Sequence, residues 1–575
     1  MKIKYKIKTL YYILMIICIC KEVKSQTAKK VQFVGVARSI MNSNELVVKD
    51  PIEDTVTAKK KMGGYALIDL GVNIFPNKNT EILGMMRIRN AFGGFYGAGV
   101  TFDVRQLYVK GIIGNVVRYQ LGDINYKLTP FTFYNHDEDQ LIQQPDVFKL
   151  QREIVNYETF YQKNTWRQQG AAADFALEFA KIIKEIKFNG FINRINVTDF
   201  TNVPDRFYGG GNIGIQQSKN LFVGINYVSL FDLIGTSSNK NAFRNNVASL
   251  NYELQLGKDK IDFRFFGEAG FSESKYTLDT LAPKLDDSFL DLGISLSYKP
   301  LHTKLTLGYL DVGPEFRSAG AQSKRMNYNA TPSVYNRYTN QQDLRSIGIF
   351  DMMRDETLYN KSISNNLMAF NPAYNNVMPF GIATFNRQGV YAKLDFVDKK
   401  EIVKLGAETY LLNEIKGQGT EKLKSFNLIK SNAEFNLHKL LVLKKNIKIT
   451  AGFATQSTKR SSDLDFEKIN LTSTNWNAGF EVEFYKNFDL LGGIISYEAN
   501  GNELIADRNK YSEVTDFNEY KINTSEMILG GGLRYRFSDK IYLTALYQNY
   551  DFKNKLNSVS SYSINQLLII YNMKF

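Results

Sequence analysis

The sequence predicts an all-β chain: a large transmembrane antiparallel β-barrel of about 22 strands, within a range of about 18–22. Three observations carry that reading. Period-two alternation recurs over about ten residues at a time. Tight turns alternate with longer, more polar connections. Beyond the N-terminus, no run approaches the about 18 or more apolar residues that a spanning helix needs, and the mean hydropathy is −0.28.

The alternation is clearest in hairpins. Leu250, Tyr252, Leu254 and Leu256 share one face, with Asn251, Glu253 and Gln255 on the other. After the turn 257–260, Ile261, Phe263 and Phe265 repeat the pattern against Asp262, Arg264 and Glu268. Leu290, Leu292, Ile294, Leu296 and Tyr298 oppose Asp291, Ser295 and Lys299, and Met527, Leu529, Leu533, Tyr535 and Phe537 oppose Arg534 and Arg536. One face suits lipid and the other suits water.

A β-sandwich also alternates, so the asymmetry of the connections decides between the two. Tight turns are expected at 76–79, 111–115, 182–185, 218–220, 257–260, 299–302, 398–401, 440–446, 485–487 and 538–540. With a first strand near Val31 to Ile40 and a last near Asn565 to Phe575, these hairpins give about 22 strands, an even number as bacterial barrels require. A weaker candidate such as Tyr208 to Gln217 lowers the count if it fails.

Residues 1–25 read as a cleaved signal peptide and 26–575 as the barrel. Lys2, Lys4, Lys6 and Lys8 precede the apolar run Leu10 to Cys20, and Ser25 supplies the small residue at the cut. A lipoprotein signal is disfavoured because Ile17 and Ile19, not small residues, precede Cys18 and Cys20. Both cysteines lie in the leader, so the remaining chain offers no disulfide and no thiolate metal site. Strands are expected soon after the cut, which leaves no room for the N-terminal plug domain of a TonB-dependent receptor.

In the last strand Leu567, Ile569, Tyr571, Met573 and Phe575 share a face. This resembles the terminal targeting strand of outer-membrane proteins, which ends in an aromatic residue. The resemblance implies the cell outer membrane as location and recognition of the strand ending at Phe575 by barrel-assembly machinery. The leader ending Lys24-Ser25-Gln26 and the richness in Lys, Asn, Tyr and Phe are similar in style to porin-like barrels of the Bacteroidota. The formal charge of +14 includes six lysines and one glutamate of the leader, leaving +9 on the rest. Such a balance favours anionic partners, including lipopolysaccharide phosphates beside outer-membrane lipid, and is no argument for nucleic acid.

Alternation places Asp69, Glu81, Arg87, Arg89, Asp103, Arg105 and Arg118 on the non-lipid face of four early strands. A ladder of arginines in a low-dielectric bore guides an anionic solute. The alternative is that they pair with the carboxylates and brace a wide barrel.

The connection Val312 to Gly389 exceeds ordinary loop lengths. It carries Arg317, Lys324, Arg325, Arg337, Arg345 and Arg354 among Tyr328, Tyr335, Tyr338, Tyr359 and Tyr374. Folded inward it would be a constriction offering stacking faces and cationic donors; folded outward it would dock a protein or form a cap on its own aromatics. A second long connection, Leu128 to Gln168, contains an acidic run from Asp137 to Asp139. That run and the group Asp463, Asp465 and Glu467 fit solvated acidic loops better than a calcium loop.

Three function classes follow. The leading expectation is a channel passing small polar or anionic solutes, with 312–389 as constriction. The competing one is a non-conducting accessory barrel of a secretion, assembly or adhesion machine whose loops bind protein. An outer-membrane hydrolase ranks third: the histidines are His136, His302 and His438, the last two beside short turns, and no nucleophile or metalloprotease motif is present. No catalytic residue, metal or cofactor is assigned.

Overall fold

In the computed structural model the described residues are 30–48, 59–93, 99–134, 142–159, 167–238, 241–277, 284–322, 348–354, 371–508 and 514–575. The leader and its cut lie outside them. Strand formation follows the alternation through most of the described residues.

The first eight strands are β1 (Val31–Val48), β2 (Lys60–Asn77), β3 (Thr80–Ala91), β4 (Val100–Ile113), β5 (Val117–Asp123), β6 (Gln169–Glu178), β7 (Glu185–Asn196) and β8 (Arg206–Gln216). Then come β9 (Leu221–Asp232), β10 (Phe243–Lys258), β11 (Ile261–Tyr276), β12 (Leu285–Tyr298), β13 (Thr303–Val312), β14 (Arg387–Val397) and β15 (Val403–Asn413). The last seven are β16 (Ser425–Asn436), β17 (Ile447–Arg460), β18 (Ile469–Tyr485), β19 (Phe488–Arg508), β20 (Val514–Ser538), β21 (Ile541–Asn554) and β22 (Tyr562–Lys574). The α-helices among the described residues are α1 (Asp146–Thr159), α2 (Ala319–Gln322), α3 (Ile349–Arg354) and α4 (Leu437–Leu440).

Each strand pairs antiparallel with its neighbours in sequence, and β22 returns to β1 in a register from Val36 opposite Lys574 to Val48 opposite Tyr562. The chain is therefore a closed 22-stranded antiparallel β-barrel. Closure satisfies both edges, which an open sheet in lipid would leave unpaired. The seam ends at the C-terminus: Gly35 N donates to Phe575 O at 2.9 Å, and Phe575 N donates to Gly35 O at 3.1 Å. No folded domain precedes β1 among the described residues.

All ten expected tight turns join strand pairs, and Tyr208 to Gln217 forms most of β8. Asn115, Asp259 and Asn487 take positive φ of 57°, 56° and 64° in three of these turns, a conformation that short polar side chains tolerate. The lipid face carries exposed Leu250, Phe263, Leu307, Ile429, Phe453, Leu529, Leu533 and Leu567. Near the short-turn end, Phe488 lies 4.5 Å from Tyr535, which lies 4.7 Å from Phe537, part of the aromatic girdle a membrane boundary favours.

One irregularity positions the site. A bulge between β3 and β4, where Met85 opposes Gln106 and Met86 opposes Val104, shifts the alternation. Arg105 and Tyr108 both turn inward, with Leu107 exposed between them. β5, of 7 residues, is the shortest strand, and beyond it the chain leaves the wall and enters the bore.

Candidate functional site

The described parts of the connection between β5 and β6, residues 124–134, 142–159 and 167–168, form an inner belt that meets many strands of the barrel wall. Thr129 donates to Glu268 of β11 at 2.6 Å, Phe131 stacks on Phe289 of β12 at 4.0 Å, and Phe133 lies 5.1 Å from Phe191 of β7. Further on, Gln143 N donates to Asn432 of β16 at 2.6 Å, and Asn477 of β18 donates to Gln143 O at 2.8 Å. Gln151 bonds Gln548 of β21 at 2.9 Å and Gln566 of β22 at 3.3 Å. The belt rejoins the wall where Arg167 grips Asp123 of β5 through two nitrogens at 2.6 and 2.7 Å.

The wall makes room for it. Gly479 of β18, Gly493 of β19 and Gly530 of β20 are paired rung to rung. A Cβ on Gly479 would stand 2.4 Å from Cβ of Pro145, and one on Gly530 would stand 2.8 Å from the Phe148 ring. Any side chain there would push the belt off the wall.

Helix α1 is the belt's rigid part. Val147, Phe148, Gln151, Ile154, Val155 and Glu158 recur at helical spacing and are buried, while Lys149 and Glu153 face away. Asp146 opens the helix with a carboxylate in its first turn and pairs with Lys448 of β17. Each fully buried apolar side chain contributes roughly 1.5–3 kcal/mol, so the apolar face alone is a strong anchor.

The C-terminal end of α1 rests on a group of guanidinium groups from β1, β3 and β4. Arg38 Nη1 reaches Glu158 Oε1 at 2.5 Å, and Tyr65 of β2 donates to Glu158 Oε2 at 2.6 Å. Arg87 donates to the Glu158 carbonyl at 2.8 Å and Arg105 to the Tyr157 carbonyl. Cations at the carbonyl end of a helix match its dipole. Arg87 also forms a bidentate pair with Asp69, both bonds 2.7 Å, and Tyr157 donates to Asp69 at 2.6 Å. The Arg87 and Asp69 side chains are fully buried.

Arg89 completes the group and differs from the rest. Its guanidinium lies 3.8 Å above the Tyr65 ring, the residue is 7% exposed, and its Nε and Nη2 are buried without a hydrogen bond. Asp103 stands opposite Arg87 across the β3–β4 ladder and is half-buried.

Of the seven lumen residues expected from sequence, Asp69, Arg87, Arg89, Asp103 and Arg105 come together beside α1. Glu81 sits nearer the short-turn end, bonded to Tyr108 at 2.7 Å and paired with Lys110 at 3.1 Å. Arg118 pairs with Asp174 of β6 at 2.5 Å and is largely exposed, well apart from the buried group. Arg38 and Glu158 were missed by the sequence reading. Arg38 lies on the inward face of β1 with Val36 and Ile40, so alternation could have found it. Glu158 falls on the apolar repeat of α1, where a charge signals a buried partner.

The connection 312–389 also turns inward over its described parts. Arg317 donates to the carbonyls of Pro314 and Phe316 and lies 4.4 Å from the Phe385 ring centre. Phe316 packs against Phe131 and Phe289. On α3, Arg354 bonds Tyr374 at 2.8 Å, and Tyr374 bonds Glu526 of β20 at 2.5 Å. Asn376 donates to Thr458 at 2.9 Å and Glu503 at 2.6 Å. Lys324, Arg325, Tyr328, Tyr335, Arg337, Tyr338, Arg345 and Tyr359 lie outside the described residues, as does the acidic run of the other connection.

Together the two connections build two apolar cores inside the bore. One gathers Phe131, Phe133, Phe191, Tyr208, Phe289 and Phe316; the other gathers Phe148, Ile154, Phe350, Met352, Tyr497 and Tyr550. Cavities with mixed polar and apolar linings lie on the short-turn side of the belt. One of about 510 Å³ lies along β3–β6, and one of about 290 Å³ is lined by Gln143, Lys404, Glu408, Lys430, Asn432 and Glu434.

Asp465 and Glu467 are engaged locally, by Lys468 at 2.6 Å and by Ser462 at 2.5 Å, and the Lys468 ammonium holds the Asp465 carboxyl below its usual range. Among the described residues no group of three or more His, Cys, Asp or Glu is placed to hold a metal ion.

The fold defines a membrane-embedded β-barrel with the described parts of two long connections folded into its bore. No protein-family model matches the chain, and no curated protein matches it in sequence. Among solved structures it is similar to the copper transporter OprC, at 10% identity and a TM-score of 0.46 over 93% of this chain and 80% of that one. It is also similar to OccK8 (OprE) of Pseudomonas aeruginosa, at 8% identity and a TM-score of 0.35 over 96% and 100% of the two chains. Wzi of Escherichia coli, an outer-membrane protein involved in group 1 capsule assembly, aligns at 10% identity and a TM-score of 0.32 over 94% and 84%.

Proposed function

We propose that this protein is an outer-membrane channel for small polar or anionic solutes, whose bore is set by the connections 128–168 and 312–389, which fold inward over their described parts. The observation that carries the reading is the belt at mid-depth. It leaves cavities on its short-turn side, where Lys404, Glu408, Lys430 and Glu434 offer both signs of charge. A barrel of this width holds a water-filled lumen unless it is filled from within. The belt and the second connection supply that filling, and a solute passes where they yield.

A second reading is favoured by the two apolar cores: a non-conducting barrel that serves a protein machine, its bore closed for good. Conductance in planar bilayers separates the two. The channel reading expects small, discrete ohmic steps from the full chain, enlarged when 323–347 is deleted. A barrel that stays silent before and after that deletion, while retaining its strands, overturns the reading.

A further inference from the structure

Four guanidinium groups gather in one buried place at the end of α1, where the chain's own Glu158 carboxylate bonds one of them, Arg38, and its main-chain carbonyls meet two more. We propose that Arg38, Arg89 and Arg105, with Arg87 behind them, form an oxyanion-binding site that Glu158 fills from within, so that an anionic solute competes with Glu158 and releases the end of α1. The inference rests on the channel reading for its purpose but not for its test.

The geometry is that of a bound anion. Glu158 presents one carboxylate oxygen to Arg38 at 2.5 Å and the other to the Tyr65 hydroxyl at 2.6 Å. Glu158 and Arg38 are 5% and 6% exposed, so the pair is largely withdrawn from water. The two carbonyls beside it, of Tyr157 and Glu158, take further donors from Arg105 and Arg87. A phosphate or carboxylate would ask the same donors for the same bonds.

Charge points the same way. Asp69 neutralises Arg87 through a bidentate pair, and Glu158 neutralises Arg38. Arg89, more than nine-tenths buried, has no carboxylate partner; it rests on the Tyr65 ring with Nε and Nη2 unbonded. A buried guanidinium left with only a ring face is costly for a purely structural element and useful to an incoming anion. Because Tyr65 holds both Glu158 and Arg89, loss of the Glu158 contact frees the ring that covers Arg89.

The competition is tethered. A side chain fixed by a helix acts at an effective concentration of about millimolar or more, which a free anion must exceed. Removing the tethered carboxylate therefore raises the apparent affinity for a free one.

The test uses the purified full chain in detergent, titrated calorimetrically with inorganic phosphate and, separately, succinate. Glu158→Gln is expected to bind at least one of them about tenfold tighter than the parent. Glu158→Asp, which keeps the charge, is expected to behave as the parent, and adding Arg89→Gln to Glu158→Gln returns binding to the parent value. The two anions show whether phosphate or carboxylate is the preferred class. A second readout needs no change at Glu158. A single cysteine at Val155, buried at 1% exposure, is expected to react with a maleimide faster in saturating anion than without it. Equal affinities of parent and Glu158→Gln for both anions, or labelling indifferent to anion, overturn the proposal. A silent barrel that still binds phosphate in this pattern would overturn the channel reading alone.

Discussion

Pro145 lies directly against Gly479, so close that a Cβ on the glycine would stand 2.4 Å from the Cβ of the proline. The belt and the wall are thus fitted to each other at backbone level. Gly479→Leu is expected to lift the start of α1 from β18, with overpacking worth about 1–3 kcal/mol. Cys18 and Cys20 are the only cysteines of the sequence, so a chain expressed from residue 26 carries none. A cysteine at Val155 in that background then reports the displacement as faster maleimide labelling, with Gly479→Ala between parent and leucine variant.

Arg87 and Asp69 form a buried pair across β2 and β3. Removing one partner strands a charge out of water, at a cost of about 3–5 kcal/mol. Arg87→Met or Asp69→Leu alone is expected to lower the unfolding midpoint in denaturant strongly. The double variant is expected to recover much of that loss, and strictly additive single effects would show that the two groups do not interact.

Tyr65 bonds Glu158 through its hydroxyl and supports Arg89 through its ring. Tyr65→Phe removes only the first, about 1.5–3 kcal/mol for a bond to a charged group. Tyr65→Leu removes the ring contact as well, about a further 0.5–2 kcal/mol. Equilibrium unfolding of the three proteins should rank parent, phenylalanine, leucine in that order.

Phe575 closes the seam through its backbone while its ring lies over Gly35. Phe575→Ala keeps both backbone bonds. It is therefore expected to reach the same final folded fraction as the parent but more slowly, read as the rise of the heat-modifiable band during assembly into liposomes.

The barrel was legible because lipid imposes period two on every strand, and because the short turns carry their own chemistry, as at Asn115, Asp259 and Asn487. The inward placing of Asp69, Arg87, Arg89 and Arg105 followed from the same rule. Their assembly around α1 did not. Nothing in local periodicity says that Glu158, in a connection leaving β5, meets Arg38 of β1, since that contact spans 120 residues. Arg118 stands apart from that group for a related reason: alternation gives the face of a strand, not the depth at which a residue sits along it. The wall glycines were visible as residues but not as a track, because their purpose appears only once Pro145 and Phe148 lie over them.

The belt is made early and anchored late. It leaves the wall after β5, yet Gln151 meets Gln548 and Gln566 across 397 and 415 residues of chain. Its end can meet β1 to β4 early, but until β18 to β22 are in place its apolar face lacks the wall that covers Val147 and Phe148. Contacts of such separation form slowly, because the loop they close must first lose its freedom. The barrel thus passes through a stage with its first strands available and its interior unset, and the last strands complete the inside and the outside together.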